Sequence, residues 1–178
     1  MDNATERSEV NFQEEKWTKG GFNLHETIQQ TTSPLVELGG PTPQGYELVD
    51  FDNFPDKQIL IINIDPQTVK RDLDNRNYSI SPEKKRVDLQ ADATKLPFED
   101  QSIGVLFASA LPIDIHADIF RDAVRVLSPG GIMVWEGGRE EDINLAKNNG
   151  LELVQSNKTI YDEDYILALV FQKPLEGL

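Results

Sequence analysis

The chain has 178 residues, enough for one domain with a full hydrophobic core, and its 38% apolar and 27% charged content is that of an ordinary globular protein. Lys and Arg number 17 against 31 Asp and Glu, a formal net charge of −14, so nucleic acid or an anionic membrane surface would meet repulsion and neither is expected as a partner. No cysteine is present, which excludes disulfides, thiolate nucleophiles and cysteine-based zinc sites.

Residues 1–16 are polar and acidic, with no apolar run after a basic start, and are expected to fray. No apolar run reaches the roughly 18 residues of a membrane helix, so a cytoplasmic location is expected. Between Trp17 and Gln30, Phe22, Leu24 and Ile28 line one side of a short helix with Asn23 as its cap, and Thr31-Thr32-Ser33-Pro34 breaks it. Residues 1–33 therefore read as an N-terminal extension, partly flexible, whose helix is a candidate lid over a cleft. Trp17, Phe22 and His25 are candidates to face that cleft; the alternative is that Trp17 and Phe22 pack on the helices of the sheet.

From residue 34 to 178 strand-like and helix-like segments alternate. PLVELGG, QILIINIDP, KRVDLQAD, SIGVLFASA and GIMVWEGG are short apolar runs ending in small or acidic residues, as expected of strands buried on both faces of a parallel sheet. Asp114 to Leu127 places Ile115, Ile119, Phe120, Ala123, Val124 and Leu127 at helical spacing, with Asp114 as N-cap and Ser128-Pro129-Gly130 as the stop. Glu140 to Asn149 reads as a second helix, acidic in its first turn, with Gly150 at the C′ position. GLELVQS and YILALVFQK are joined too tightly for a crossover and must pair antiparallel. The expected fold is a doubly wound, mostly parallel α/β sheet finished by an antiparallel strand.

Two stretches then stand out. DLQADATKLPFEDQSIGVLFASALP resembles the segment of the class I S-adenosylmethionine-dependent methyltransferases (type 11-like) in which an Asp-Ala pair precedes Leu-Pro-Phe and the fourth strand. RDAVRVLSPGGIMVWEGG is similar to that family's helix, Leu-x-Pro-Gly-Gly turn and fifth strand. The resemblance runs from about Pro34 to Lys173 and implies S-adenosylmethionine as cofactor. It places the cofactor at the carboxyl ends of the strands, where strand order reverses.

By the same resemblance, Glu37 and Gly39 match the start of the family's acid-x-Gly-x-Gly-x-Gly loop, with Gly40 beside them. The second and third glycine positions hold Pro41 and Pro43, which fix φ and lack an N–H, so the loop is divergent; Gly40 and Gly45 offer another path for it. Asp65 stands where the family has an acid for the ribose hydroxyls, or else caps its strand. Asp92 matches the acid that accepts from the adenine amino group, with Ala93 supplying backbone. Ser109 borders the methyl-transfer position.

A sulfonium methyl group is already electrophilic, so alignment and exclusion of water are the main demands, and no particular base has to be advertised. Asp114 and His116 are the candidate catalytic residues if a base exists; the alternative is Asp114 as helix cap and His116 as a first-turn surface residue. Two separated histidines, His25 and His116, form no ligand pattern, and no metal is expected. The leading expectation is methyl transfer to a small-molecule acceptor, with a homodimer as one way to complete a poorly lidded site. The rivals are a methyltransferase-like binding or regulatory module without turnover, and an interaction protein that uses its acidic surface on a basic partner.

Overall fold

A computed structural model describes residues 13–40, 46–64, 87–109, 111–161 and 164–175. Asp65 and the Pro41–Gly45 part of the glycine-rich loop lie outside them. The described elements run β1 (Gln13–Thr18), α1 (Leu24–Gln30), β2 (Leu35–Leu38), β3 (Ile59–Asn63), β4 (Leu89–Gln90), β5 (Ile103–Ser109), α2 (His116–Val126), β6 (Leu127–Gly138), α3 (Glu140–Asn148), β7 (Glu152–Tyr161) and β8 (Asp164–Gln172). Single 3-10 turns occur at Phe51–Asn53 and Ile113–Ile115.

The eight described strands form one sheet in the order β1-β7-β8-β6-β5-β2-β3-β4. β2 to β6 pair in parallel, as the continuous apolar runs require. β8 is the expected antiparallel strand, and it slots between β6 and β7 instead of closing the edge. The edge belongs to β1, which pairs antiparallel with β7 from Gln13↔Ile160 to Thr18↔Gln155. Fraying was expected as far as residue 16. The polar sequence QEEKWT hid this strand because an edge strand is held by its backbone bonds and carries charge that discourages further pairing.

Alternation along the strands divides the core into two layers. On one face Val36, Leu38, Leu106, Ala108, Met133 and Trp135 pack with Ile119, Phe120 and Ala123 of α2 and Ala146 of α3. On the other Leu35, Val105, Phe107, Ile132 and Val134 pack with Leu24 and Ile28 of α1 and with Tyr46, Val49 and Phe54. Asn23 caps α1 as expected, its Oδ1 accepting from Glu26 N at 3.1 Å. Phe22 and His25 also lie toward the second layer, His25 stacked on Phe54 at 4.7 Å between ring centroids, while Trp17 stays 48% exposed on β1.

One helix end differs from the sequence expectation. Asp114 does not cap α2: it is exposed in the preceding 3-10 turn, and the cap position is Ile115 with no side-chain bond. The other end of the helix falls at Val126, with Leu127 as C-cap, where Ser128-Pro129-Gly130 was expected to stop it. α2 passes straight into β6 at Leu127, which pairs with Ile103, and the register shift before Val105 absorbs the Pro-Gly-Gly segment. A side chain at Gly131 would lie 2.8 Å from the Ser128 carbonyl and 3.1 Å from that of Gly104, so only glycine fits. The Lys173 Nζ then donates to the Val124 and Leu127 carbonyls at 2.9 and 2.8 Å, closing the helix end.

One guanidinium fastens the Leu-Pro-Phe segment to α2. Arg125 donates to Asp122 Oδ1 at 2.8 Å and Oδ2 at 3.1 Å, to the Leu96 and Phe98 carbonyls at 2.8 Å each, and to Asp100 at 2.9 Å. Asp122 in turn accepts from Leu96 N at 2.6 Å. The planar fork serves all of these at once, which an ammonium cannot. Arg125→Lys and Arg125→Met are each expected to lower Tm by about 3–6 °C, Met more than Lys, allowing for a side chain one-third exposed; thermal unfolding followed by circular dichroism checks this.

Candidate active site

Strand order reverses between β2 and β5. The chain runs from β2 outward through β3 and β4, then returns to β5 and β6 on the other side. β2 and β5 are neighbours, with Leu38 level with Ala108, so their carboxyl ends open onto one crevice. Gly39 and Gly40 leave β2 there, Asn63 ends β3, Asp92 and Ala93 follow β4, and Ser109 ends β5.

Gly39 takes φ +74°, and its N–H donates to the Ile62 carbonyl at 2.8 Å. A side chain on Gly39 would run into Leu111, and one on Gly40 would lie 2.7 Å from Glu37 Cγ and Oε1. The two glycines thus keep a backbone cradle that a Cβ would fill. Glu37, expected here, is buried on the α1 face of the sheet, and its Oε1 accepts from the Tyr46 hydroxyl at 3.4 Å. Asn63 was not anticipated. Its Nδ2 donates to the carbonyls of Gly39 at 2.9 Å and Gly40 at 3.0 Å, tying the cradle to β3. Its signal in the sequence is a polar residue closing an otherwise apolar strand, whereas the family resemblance points to Asp65 two residues on.

Asp92 is exposed. Its Oδ1 accepts from Thr94 N at 2.8 Å and Thr94 Oγ1 at 2.7 Å, and these two bonds hold its carboxyl below the usual range. Ala93 is half-buried against the α2-side core. Ser109 is half-buried and level with Glu136 of β6.

His116 is neither a surface residue nor an open base. It is 3% exposed, with Nδ1 on Asp142 Oδ1 at 2.7 Å and Nε2 on the Leu111 carbonyl at 2.9 Å. Asp142 Oδ2 also accepts from Trp135 Nε1 at 3.2 Å and Arg139 N at 2.9 Å. Both ring nitrogens face acceptors, so the imidazole is spent on holding Leu111 to the start of α3. Leu111 is the residue packed over Gly39, so His116 reaches the cradle only through it. Asp114 remains exposed at the same end of the sheet. Among the described residues no group of three or more His, Cys, Asp or Glu is arranged to hold a metal.

Glu136 faces the α1 side of the sheet, where its Oε1 accepts from Leu48 N at 3.0 Å. Burial pushes its carboxyl up; the Glu47 and Leu48 backbone N–H groups oppose this, and the Glu47 charge adds to it.

This doubly wound sheet, with its antiparallel strand slotted between the last two parallel-running ones and a glycine cradle at the reversal, defines a Rossmann-like methyltransferase-type domain. Residues 40–135, more than half the chain, match the family described as a methyltransferase domain, and the protein belongs to that family. Its cofactor is S-adenosylmethionine. No curated protein matches the sequence.

Similar solved structures include the N-methyltransferase NodS from Bradyrhizobium japonicum WM9 (TM-score 0.55, 14% identity, 80% of this chain and 86% of that one). A SAM-dependent methyltransferase from Methanosarcina mazei superposes with TM-score 0.58 at 11% identity, over 87% of this chain and 99% of its own. The cyclase SpnF has TM-score 0.59 at 18% identity, over 84% and 79%. At these identities the likeness is one of fold.

Asn63→Ala releases both cradle carbonyls. Amide exchange at Gly39 and Gly40 is expected to quicken about fivefold, equivalent to about 1 kcal/mol, as measured by hydrogen exchange with NMR. The raised Glu136 carboxyl gives a second outcome. The folded chain holds this proton more tightly than the unfolded one. This group's contribution therefore falls as pH climbs from the ordinary glutamate value, about 4.3, through the raised one. Glu136→Gln should flatten that decline in a series of Tm measurements between about pH 4 and 7.

Proposed function

We propose that the protein transfers the methyl group of S-adenosylmethionine to a small-molecule acceptor in the crevice between the ends of β2 and β5. The observation that carries this reading is the convergence of the Gly39-Gly40 cradle, the ionised Asp92 and Ser109 on that one sheet end. Gly39 and Gly40 would let the backbone approach the cofactor closely, with Glu37 buttressing the turn from beneath. Asp92, with Oδ1 engaged by Thr94, would accept the adenine amino group on Oδ2, and Ala93 would line the base. Asp65 is proposed for the ribose hydroxyls, for which a carboxylate is a good double acceptor.

The bound cofactor supplies an electrophilic methyl group, so the chain's task is to orient the acceptor in line and keep water out. Ser109 and the Leu111 backbone border that position. Asp114 is the one of the two sequence-derived bases that faces solvent there. The acidic surface favours a small acceptor over a nucleic acid. Among the described residues no helix is long and apolar enough to cross a membrane, in keeping with a cytoplasmic enzyme.

A second reading, a binding module without turnover, is favoured by Pro41 and Pro43 in the cofactor loop. Titration calorimetry with S-adenosylmethionine and S-adenosylhomocysteine tests cofactor binding. The expected result is micromolar affinity, weakened about tenfold, or 1.4 kcal/mol, by Asp92→Ala. Absence of heat at millimolar ligand from a folded protein would overturn the enzymatic reading; binding with no thioether product from any acceptor would favour the module.

A further inference from the structure

A buried histidine beside the crevice has no part in the reading above. His116 opens α2, and its ring lies between the turn after β5 and the start of α3. Nδ1 stands 2.7 Å from Asp142 Oδ1, and Nε2 stands 2.9 Å from the Leu111 carbonyl oxygen. The ring meets Trp135 edge-on, with centroids 4.6 Å apart. His116 is 3% exposed and Asp142 2%, so water does not stand in for either bond.

Both partners of the ring are acceptors. A backbone carbonyl carries no hydrogen to give. Three donors converge on Asp142, namely the ring, Trp135 Nε1 and Arg139 N, and a carboxylate takes all of them by accepting. The two bonds of the ring therefore need two hydrogens, one between Nδ1 and Oδ1 and one on Nε2. A neutral imidazole beside an ionised carboxylate has only one. That hydrogen stays at Nδ1, because a bond to a charged acceptor is the stronger. The bare Nε2 then faces the Leu111 oxygen, and a bond becomes a contact between two acceptors away from water.

The consequence falls on the crevice. Leu111 lies two residues beyond Ser109, and its side chain occupies the place that a Cβ on Gly39 would take. Beyond Leu111 the turn is loosely tied: Pro112 has no N–H, Ile115 N reaches the Pro112 carbonyl only at 3.3 Å, and residues 112–114 are exposed. The bond from Nε2 is thus the firm tether of this turn.

We propose that His116, with a proton on each ring nitrogen, is a positioning residue for the cofactor: it latches Leu111 against Gly39, and the crevice keeps its binding shape only while both protons are held. The role in cofactor binding rests on the methyl-transfer reading of that crevice. The latched form holds one proton more than the released form, so cofactor affinity falls as pH rises through the titration of the ring. Asp142 is the titratable group in contact with the ring. The other charged groups at this corner, Asp114, Asp118 on α2, and Arg139, Glu140 and Glu141 around the start of α3, are all exposed, and Glu136 of β6 faces the opposite side of the sheet.

The test is calorimetric titration of the full chain with S-adenosylhomocysteine, joined to NMR of the His116 ring nitrogens, the Leu111 methyl groups and the Gly39 amide. Both ring nitrogens are expected to carry protons at about pH 6, and affinity is expected to be about fivefold weaker at about pH 8.5. The Leu111 and Gly39 signals should move with the same midpoint as the ring. Binding at the higher pH should take up a proton, seen as a heat that varies with the ionisation enthalpy of the buffer. His25→Gln, on the exposed side of α1, should keep this pH dependence, and His116→Gln should abolish it. A ring with one protonated nitrogen at about pH 6 would overturn the latch, as would Leu111 and Gly39 signals that ignore its titration. Both are read on the unaltered chain, so neither depends on the folding of a variant. A pH dependence that persists in His116→Gln would overturn it as well. If S-adenosylhomocysteine binds equally at both pH values, the latch fails while the methyl-transfer reading stands. If it binds at neither while Leu111 and Gly39 follow the ring, the latch stands and the reading it serves falls.

Discussion

The parallel pairing of β2 with β5 is the constraint on which the site depends. These two strands are far apart in sequence, and between them the chain travels outward to β4 and back. Where it returns, the connections on the two sides diverge, and the carboxyl ends of the strands are left uncovered. Each strand contributes its last side chain or its following turn to that opening. Without the level registry of Leu38 with Ala108, the glycine cradle and Ser109 would belong to different places on the surface.

Around that opening the chain uses polar bonds to hold turns that the apolar core cannot reach. Asn63 secures the two glycine carbonyls. His116 and Asp142 join the turn after β5 to the start of α3, with Trp135 sealing the pair. At the opposite end of the sheet, Arg125 binds the segment after β4 to the last turn of α2. Buried charged and polar groups of this sort contribute geometry more reliably than net stability, since their desolvation offsets much of their attraction. At the opening, Asn63 and the His116–Asp142 pair join turns from different strands.

The two faces of the sheet differ in a way that bears on function. The α2 and α3 face is apolar to its edge, apart from the His116–Asp142 pair. The α1 face becomes polar toward the carboxyl ends, where Glu37, Glu136 and Asn157 replace aliphatic residues. Carboxylates placed inside a sheet layer are costly unless they are bonded; Glu37 accepts from the Tyr46 hydroxyl and Glu136 from the backbone at Leu48. The segment from Tyr46 to Phe54 is thus both cover and partner for this half of the site.

The order of strands and helices in the second half was legible in the sequence, because apolar runs ending in small residues and an amphipathic helix over Ile119, Phe120 and Ala123 report their own burial. Gly39, Gly40, Asp92 and Ser109 could be named because the stretches around them resemble the methyltransferase motifs, and each lies at or just beyond the end of a strand. β1 was not legible, since its pairing uses backbone groups that every residue has. The capping part assigned to Asp114 and the surface place assigned to His116 came from local rules of helix starts. Those rules say nothing of a carboxylate 26 residues further on that accepts from the ring at 2.7 Å. By itself the sequence determined the alternation, the two core faces and the residues that end each strand, all set by local periodicity. Tertiary structure alone decided which ends meet, which carboxylates are buried and that Asn63, Glu136 and Asn157 stand beside them, because those facts depend on contacts between residues tens of positions apart.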